Sequence, residues 1–229
     1  MATRLGARLV PAPQQQRSQV TQDAIVRAFI ALTASRPFDE IGVSDIAGKA
    51  KISVGGFYAR FRSKEALILP VLDRITAEWR TGVNESLDAV DARKGGISDV
   101  FEAYVGQMVS AFRAHRLMLL QLSRAATGDA AREFAEIVLA FNKDVHGRFR
   151  RACLSRRPEI DHPDPDQAVE FALFFASASA REALLGANWR SYEIVPTDAQ
   201  LIREITCAAL RYLGVAAVKP PRRRSRKPA

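Results

Sequence analysis

The stretch from Gly42 to Leu67 limits what this chain can fold into more than any other. Ile46, Ala47 and Ala50 share one face of a short helix spanning 43–50. Ile52 fills the tight turn that follows. Ser53 is placed to cap a second helix over 54–60, and Phe57 and Phe61, four residues apart, point into the same core. Two helices of about two turns, joined by a turn of three to four residues, make a helix-turn-helix, here over 43–61. The small side chains of Ala47 and Ala50 let the two helices approach closely.

Around this unit the pattern is helical throughout, with no convincing alternating strand. A first helix is expected from about Ser18 to Ala34, with Ile25, Ala28, Phe29 and Leu32 on one face. Ser63 is placed to start a helix that continues past Pro70 towards Val90, with a kink expected at the proline. After a linker at 93–96, Ser98 should cap a helix to about His115, followed by a shorter one to Ala126. A long amphipathic helix then runs from Ala130 to about Ser155. Asp164-Pro165-Asp166-Gln167 and Thr197-Asp198-Ala199-Gln200 both read as helix starts. They open a helix over 168–185 and a last one that ends near Gly214. About nine helices result, and the fold class is all-α.

Charge is distributed unevenly. Segment 17–64 carries eight basic and four acidic residues, and the tail Lys219–Lys227 six basic and no acidic ones. Residues 65–218 are slightly acidic, so the basic first quarter is the part that suits a polyanion. Cys153 and Cys207 have neither disulfide nor metal spacing and read as free thiols of a reducing compartment. The N-terminal residues lack the apolar run of a secretory signal. The most apolar stretch, 168–185, is interrupted by Glu170, Arg181 and Glu182, so no membrane association and a cytoplasmic location are expected. His115, His146 and His162 have no metal-like spacing, and no nucleophile–base set or phosphate loop is present. No enzymatic activity, catalytic residue, metal or cofactor is expected.

In a helix-turn-helix the second helix enters the major groove N-terminus first. The positions it would present are Val54, Gly55, Gly56 and Tyr58, with Arg60 one turn on. Hydroxyls at Ser53 and Tyr58 suit phosphate oxygens, Arg60 a guanine edge or a phosphate, and Lys64 a phosphate. Double-stranded DNA is the expected partner.

The series Phe38, Ile41, Val43, Asp45, Ile46, Ala47, Ala50, Ile52, Ser53, Gly55, Phe57, Tyr58, Phe61, Ser63, Lys64, Glu65 and Leu67, in this order and spacing, resembles the DNA-binding signature of the TetR family of bacterial repressors. With the first helix the resemblance covers 18–67. It implies that Tyr58 and Lys64 contact phosphates and that Ser44, Val54, Gly56 and Arg60 face the groove. The chain departs from the pattern at Thr33, where an aromatic is common, at Pro37 and at Gly42, where Ser or Thr usually caps the helix. Gly55-Gly56 leaves few side chains to read bases.

The resemblance further implies a larger helical ligand-binding and dimerisation domain over 68–218 behind the three-helix DNA-binding domain at 18–67. A flexible basic arm at 1–17 and a disordered basic tail at 219–229 complete the expected organisation. A homodimer is implied through the last two long helices, and Phe171, Phe174, Phe175, Ala178, Ile202, Ile205 and Ala209 are the residues suited to that seam. Candidates for lining a small-molecule pocket are Trp79, Tyr104, Met108, Phe112, Met118, Phe141, Phe149 and Trp189. The expected function is a ligand-released repressor; the alternative is a regulator whose second domain docks a protein.

Overall fold

The computed structural model describes residues 13–125, 127–186, 191 and 196–215. Arg4, Arg8, Trp189 and the basic tail lie outside them. Among the described residues there are eight α-helices: α1 (Pro13–Thr33), α2 (Val43–Ala50), α3 (Val54–Tyr58), α4 (Ile68–Ala92), α5 (Ile97–Ala125), α6 (Gly128–Leu154), α7 (Pro165–Leu185) and α8 (Asp198–Tyr212). Three short 3₁₀ turns join them, at Phe38–Glu40, Glu65–Leu67 and Arg157–Glu159, and no strand occurs among the described residues.

Two cores form. The first gathers Ile25, Phe29, Phe38, Ile46, Phe57, Phe61 and Leu67 from the front of the chain. It also takes in Ile68, Val71 and Ile75 of α4 and Met118 and Leu122 of α5. A boundary at residue 67 therefore falls inside a continuous apolar cluster, and α4 and α5 serve both halves of the molecule. The second core fills the space between α4, α5, α6, α7 and α8, with Phe101, Tyr104 and Phe149 packed ring against ring.

Three expectations from sequence are corrected. Pro70 stands in the first turn of α4, where a backbone N–H has no helical partner in any case, so the proline costs no bond and imposes no kink within the helix. Its neighbourhood changes helical type instead, from the 3₁₀ turn at 65–67 to α4. Next, α5 is one uninterrupted helix and starts at Ile97. The Asp99 carboxylate, rather than Ser98, receives the Gly96 N–H at 2.9 Å, and Glu159 receives that of Ile97 at 3.0 Å. His115 and Arg116, where the first of two helices was expected to end, lie half-buried along the helix, and Arg116 Nε donates to the Leu184 carbonyl of α7 at 2.7 Å. Finally, α3 closes at Tyr58, two residues shorter than expected, because two glycines give it little propensity to continue.

The caps behave as their chemistry requires. Asp164 accepts from the Gln167 N–H, and Thr197 and Gln200 bond each other's backbone reciprocally. Gly214 takes φ +68° and ends α8 with the two bonds of a Schellman motif, Val215 N–H to Leu210 O and Gly214 N–H to Arg211 O, both 3.1 Å.

Candidate nucleic-acid interface and ligand cavity

The α2–α3 unit is built around three buried side chains, Ile46, Ala47 and Phe57. α2 opens at Gly42, whose N–H donates to the Asp45 carboxylate at 3.0 Å. That bond, and then Arg36 at 3.2 Å, hold the Asp45 carboxyl below its ordinary range. The turn is a second Schellman motif, with Ile52 N–H on Ala47 O and Lys51 N–H on Gly48 O. Lys51 occupies the left-handed position at φ +57°, a conformation that glycine adopts more cheaply. Ser53 then caps α3, its hydroxyl accepting from Gly56 N–H at 3.0 Å.

What this scaffold presents to solvent is narrow. Val54 is 44% and Tyr58 53% exposed, Ser44, Ser53 and Gly55 are exposed, and Gly56 is half-buried. The Tyr58 ring stands edge-on to Phe57, with centroids 5.5 Å apart, which fixes its direction. A Cβ on Gly55 would meet only Ser53 Oγ, at 3.9 Å, so packing does not demand glycine there. Its bare backbone is a surface feature. Lys49, at the end of α2, and Lys51 and Arg62, in the segments that follow α2 and α3, are exposed cations of the same unit that the motif did not single out.

Arg60 and Lys64 are engaged within the chain. Arg60 Nη1 donates back to Gly56 O at 3.0 Å, and its buried Nε has no partner among the described residues. Lys64 Nζ donates to Phe38 O at 2.7 Å and sits 4.3 Å from the centroid of the Phe38 ring. The N–H of the same residue, Phe38, donates to Gln121 Oε1 of α5. The two backbone groups of Phe38 are thus held by α5 on one side and by Lys64, ahead of α4, on the other.

Behind this unit lies a cavity of about 820 Å³ between α4, α5, α6 and α7. Trp79, Tyr104, Met108, Phe112 and Phe141 line it, and the Trp79 ring lies 5.1 Å from that of Phe112 and 5.2 Å from that of Phe141. Two sequence candidates do not. Phe149 is fully buried on the far side of Tyr104, and Met118 belongs to the first core, where its sulfur accepts from the buried Thr33 hydroxyl at 3.4 Å. The cavity also holds polar groups that sequence reasoning passed over: Asn142, His146 and Ser177. Helical periodicity had marked only large apolar residues.

On α7, Phe171 and Phe174 are 51% and 64% exposed and Phe175 is also exposed, with Tyr212 of α8 beside Phe171. Ala178 and Ile202 are half-buried. Ile205 and Ala209, expected at a seam between subunits, are instead buried within this chain. They share the inner face of α8 with Leu201 and Leu210, which the helical register turns toward the chain's own core. Cys153 is buried and Cys207 half-buried, and both are free.

Residues 25–71 match the family model of bacterial regulatory proteins of the tetR family. The chain is similar to the HTH-type transcriptional regulator EthR of Mycobacterium tuberculosis, 32% identical over 91 residues that cover 31% of this chain and 42% of EthR. It thus spans less than half the length of the curated relatives it matches. Among solved structures, a transcriptional regulator from Rhodococcus sp. Rha1 superposes with a TM-score of 0.62 at 15% identity, covering 86% of this chain and 98% of the other. RolR in complex with the ligand resorcinol superposes at 0.51 with 20% identity, covering 89% and 92%. At such identities the likeness is one of fold. No helix among the described residues is long and apolar enough to cross a membrane.

Proposed function

From the premise that the chain belongs to the TetR family of bacterial regulatory proteins, we propose that it binds duplex DNA as a homodimer and leaves it when a small molecule fills the cavity. The observation that carries the DNA reading is the exposed face of α3. Val54, Gly55 and Tyr58 stand exposed on a unit whose Ile46, Phe57 and Phe61 are buried. With two glycines on that face, affinity rests chiefly on phosphates, through Ser53, Tyr58, Lys49, Lys51 and the free N–H groups of Lys64. Sequence preference rests on Ser44, Val54, the spacing of two half-sites and DNA shape. Arg60 joins only if it gives up its bond to Gly56.

A gel-shift titration of the promoter DNA beside the protein's own gene tests this. Retardation at 50 mM salt, falling by orders of magnitude at 200 mM, is expected from release of counterions. No retardation at low salt would sink the reading.

Support for the homodimer comes from Phe171, Phe174, Phe175 and Tyr212, an apolar patch that one chain leaves in water. Phe171→Asp with Phe175→Asp should convert a dimer to a monomer in sedimentation velocity while helical circular dichroism stays unchanged. Support for ligand release comes from the clamp on Phe38. Leu119 and Leu120 of α5 line the cavity, and Gln121 beside them accepts from the N–H of Phe38, the residue whose carbonyl accepts from Lys64. A ligand that displaces this turn of α5 loosens a phosphate-facing lysine, which is how occupancy at one site becomes loss of affinity at the other. On this reading the protein acts as a ligand-released repressor.

A further inference from the structure

The chemistry of the cavity wall narrows what it can hold. Its lining runs from Tyr104 to Leu120 on α5 and from Phe134 to His146 on α6, so it is elongated, roughly 20 Å at 1.5 Å of helix rise per residue. Most of the wall is apolar, with the Trp79, Phe112 and Phe141 rings forming one flank.

Against that flank stands an uncharged polar set. Ser177 Oγ is buried and has no partner among the described residues. Thr206 Oγ1 of α8 is likewise buried without a partner among the described residues but does not line the cavity, whereas the hydroxyls of Thr33, Thr76 and Thr81 each return to a carbonyl of the preceding turn. Arg150 pairs with both Asp166 and Glu170, which fixes α6 and α7 in antiparallel register and brings Asn142 towards the turn that carries Ser177. His146 lies one turn from Asn142, and burial lowers its pKa so that the neutral imidazole prevails.

The charged residues of the lining offer an ion little. Glu170 is engaged by Arg150 at 2.9 Å, and Arg181 and Glu182, adjacent on α7 and opposite in charge, are both solvent-exposed. A charge carried into the cavity would lose its hydration without gaining a buried counter-ion. A hydroxyl, carbonyl or amide would satisfy the lone Ser177 hydroxyl.

We infer that the cavity takes an elongated, uncharged, largely apolar molecule bearing a hydroxyl, carbonyl or amide group that hydrogen-bonds Ser177 and Asn142. This rests on the ligand-binding reading above and names the class of ligand.

Three probes that share one skeleton test it: 6-phenyl-1-hexanol, 6-phenylhexanoate and 6-phenylhexylammonium. Binding is read by quenching of Trp79 fluorescence in a Trp189→Phe background and by the shift in melting temperature. The alcohol should bind at least tenfold more tightly than either ion. Ser177→Ala and Asn142→Leu should each weaken it about three- to tenfold, the loss of one hydrogen bond, without lowering the melting temperature of the unliganded protein. If the carboxylate binds as well as the alcohol, and Arg181→Ala abolishes that binding, the inferred class is wrong but the cavity remains a ligand site. Alcohol binding indifferent to Ser177→Ala and Asn142→Leu also overturns it. If none of the three quenches Trp79 or shifts melting at millimolar concentration, the ligand-binding reading fails as well.

Discussion

At the scale of single residues, several side chains separate stability from function. Lys51 holds a left-handed conformation that costs about 1 kcal/mol or more for a residue with a Cβ. Lys51→Gly should therefore stabilise the fold, by up to about 1 kcal/mol after the entropy of glycine in the unfolded chain is counted. It also removes an exposed cation beside α3, so DNA affinity should fall while the melting temperature rises. Parallel falls in both would show that Lys51 serves the fold instead. Cys153 gives a second residue-scale test. Burial pushes its thiol well above the ordinary range, so little of the reactive thiolate exists near neutrality. In a Cys207→Ser background, Ellman's reagent should label Cys153 only once denaturant unfolds the protein.

The helices pose different questions, chiefly about where they begin, end and meet. Gly48 lies inside α2 with nothing within 4 Å of an added Cβ, so Gly48→Ala should stabilise by about 0.5–1 kcal/mol. Gly214 is the opposite case. Its φ is +68°, and a Cβ there would lie 2.2 Å from the Asp161 carbonyl oxygen, so Gly214→Ala should cost at least about 1 kcal/mol. Urea midpoints of the two variants should move in opposite directions. Where α5 meets the front unit, Gln121→Ala leaves the Phe38 N–H without its acceptor. A loss of about 1–3 kcal/mol follows. Operator affinity of this variant should respond less to any compound that binds the cavity. An unchanged response would remove Gln121 from the route of coupling.

Over the whole molecule, pH dependence follows from two half-buried imidazoles. Burial holds the pKa of His115 and of His146 below the ordinary 6.5, against the opposing pull of Glu78 and Glu170. The unfolded chain therefore takes up protons first as pH falls. The stability these neutral rings contribute is complete above about pH 6.5 and is lost progressively below it. A further loss sets in only in the carboxylate range, because Asp91 is held down by Arg148 and Arg156, and Asp166 by Arg157. Urea midpoints should decline between pH 7 and 5.5, and His115→Gln with His146→Gln should flatten that limb. An undiminished slope in the double variant would assign the effect elsewhere.

Local sequence determined what local physics decides. Ser53, Asp164 and Thr197 announce their helices because a side-chain oxygen three residues ahead of a free N–H needs no distant partner. The α2–α3 scaffold is legible for the same reason, its spacing and its buried residues lying within 20 or so positions of each other. Tertiary structure decided the rest. Pro70 reads as a kink until the start of α4 places it in a first turn, and the break expected near residue 115 disappears because Arg116 finds the Leu184 carbonyl 68 positions away. Ile205 and Ala209 look like seam residues on a helical wheel, yet which face of α8 meets its own chain depends on how α5 and α7 pack against it. Ser177, Asn142 and His146 carry no pattern at all. They become a candidate site only where two antiparallel helices set them around one space, since a cavity is a property of packing rather than of any segment.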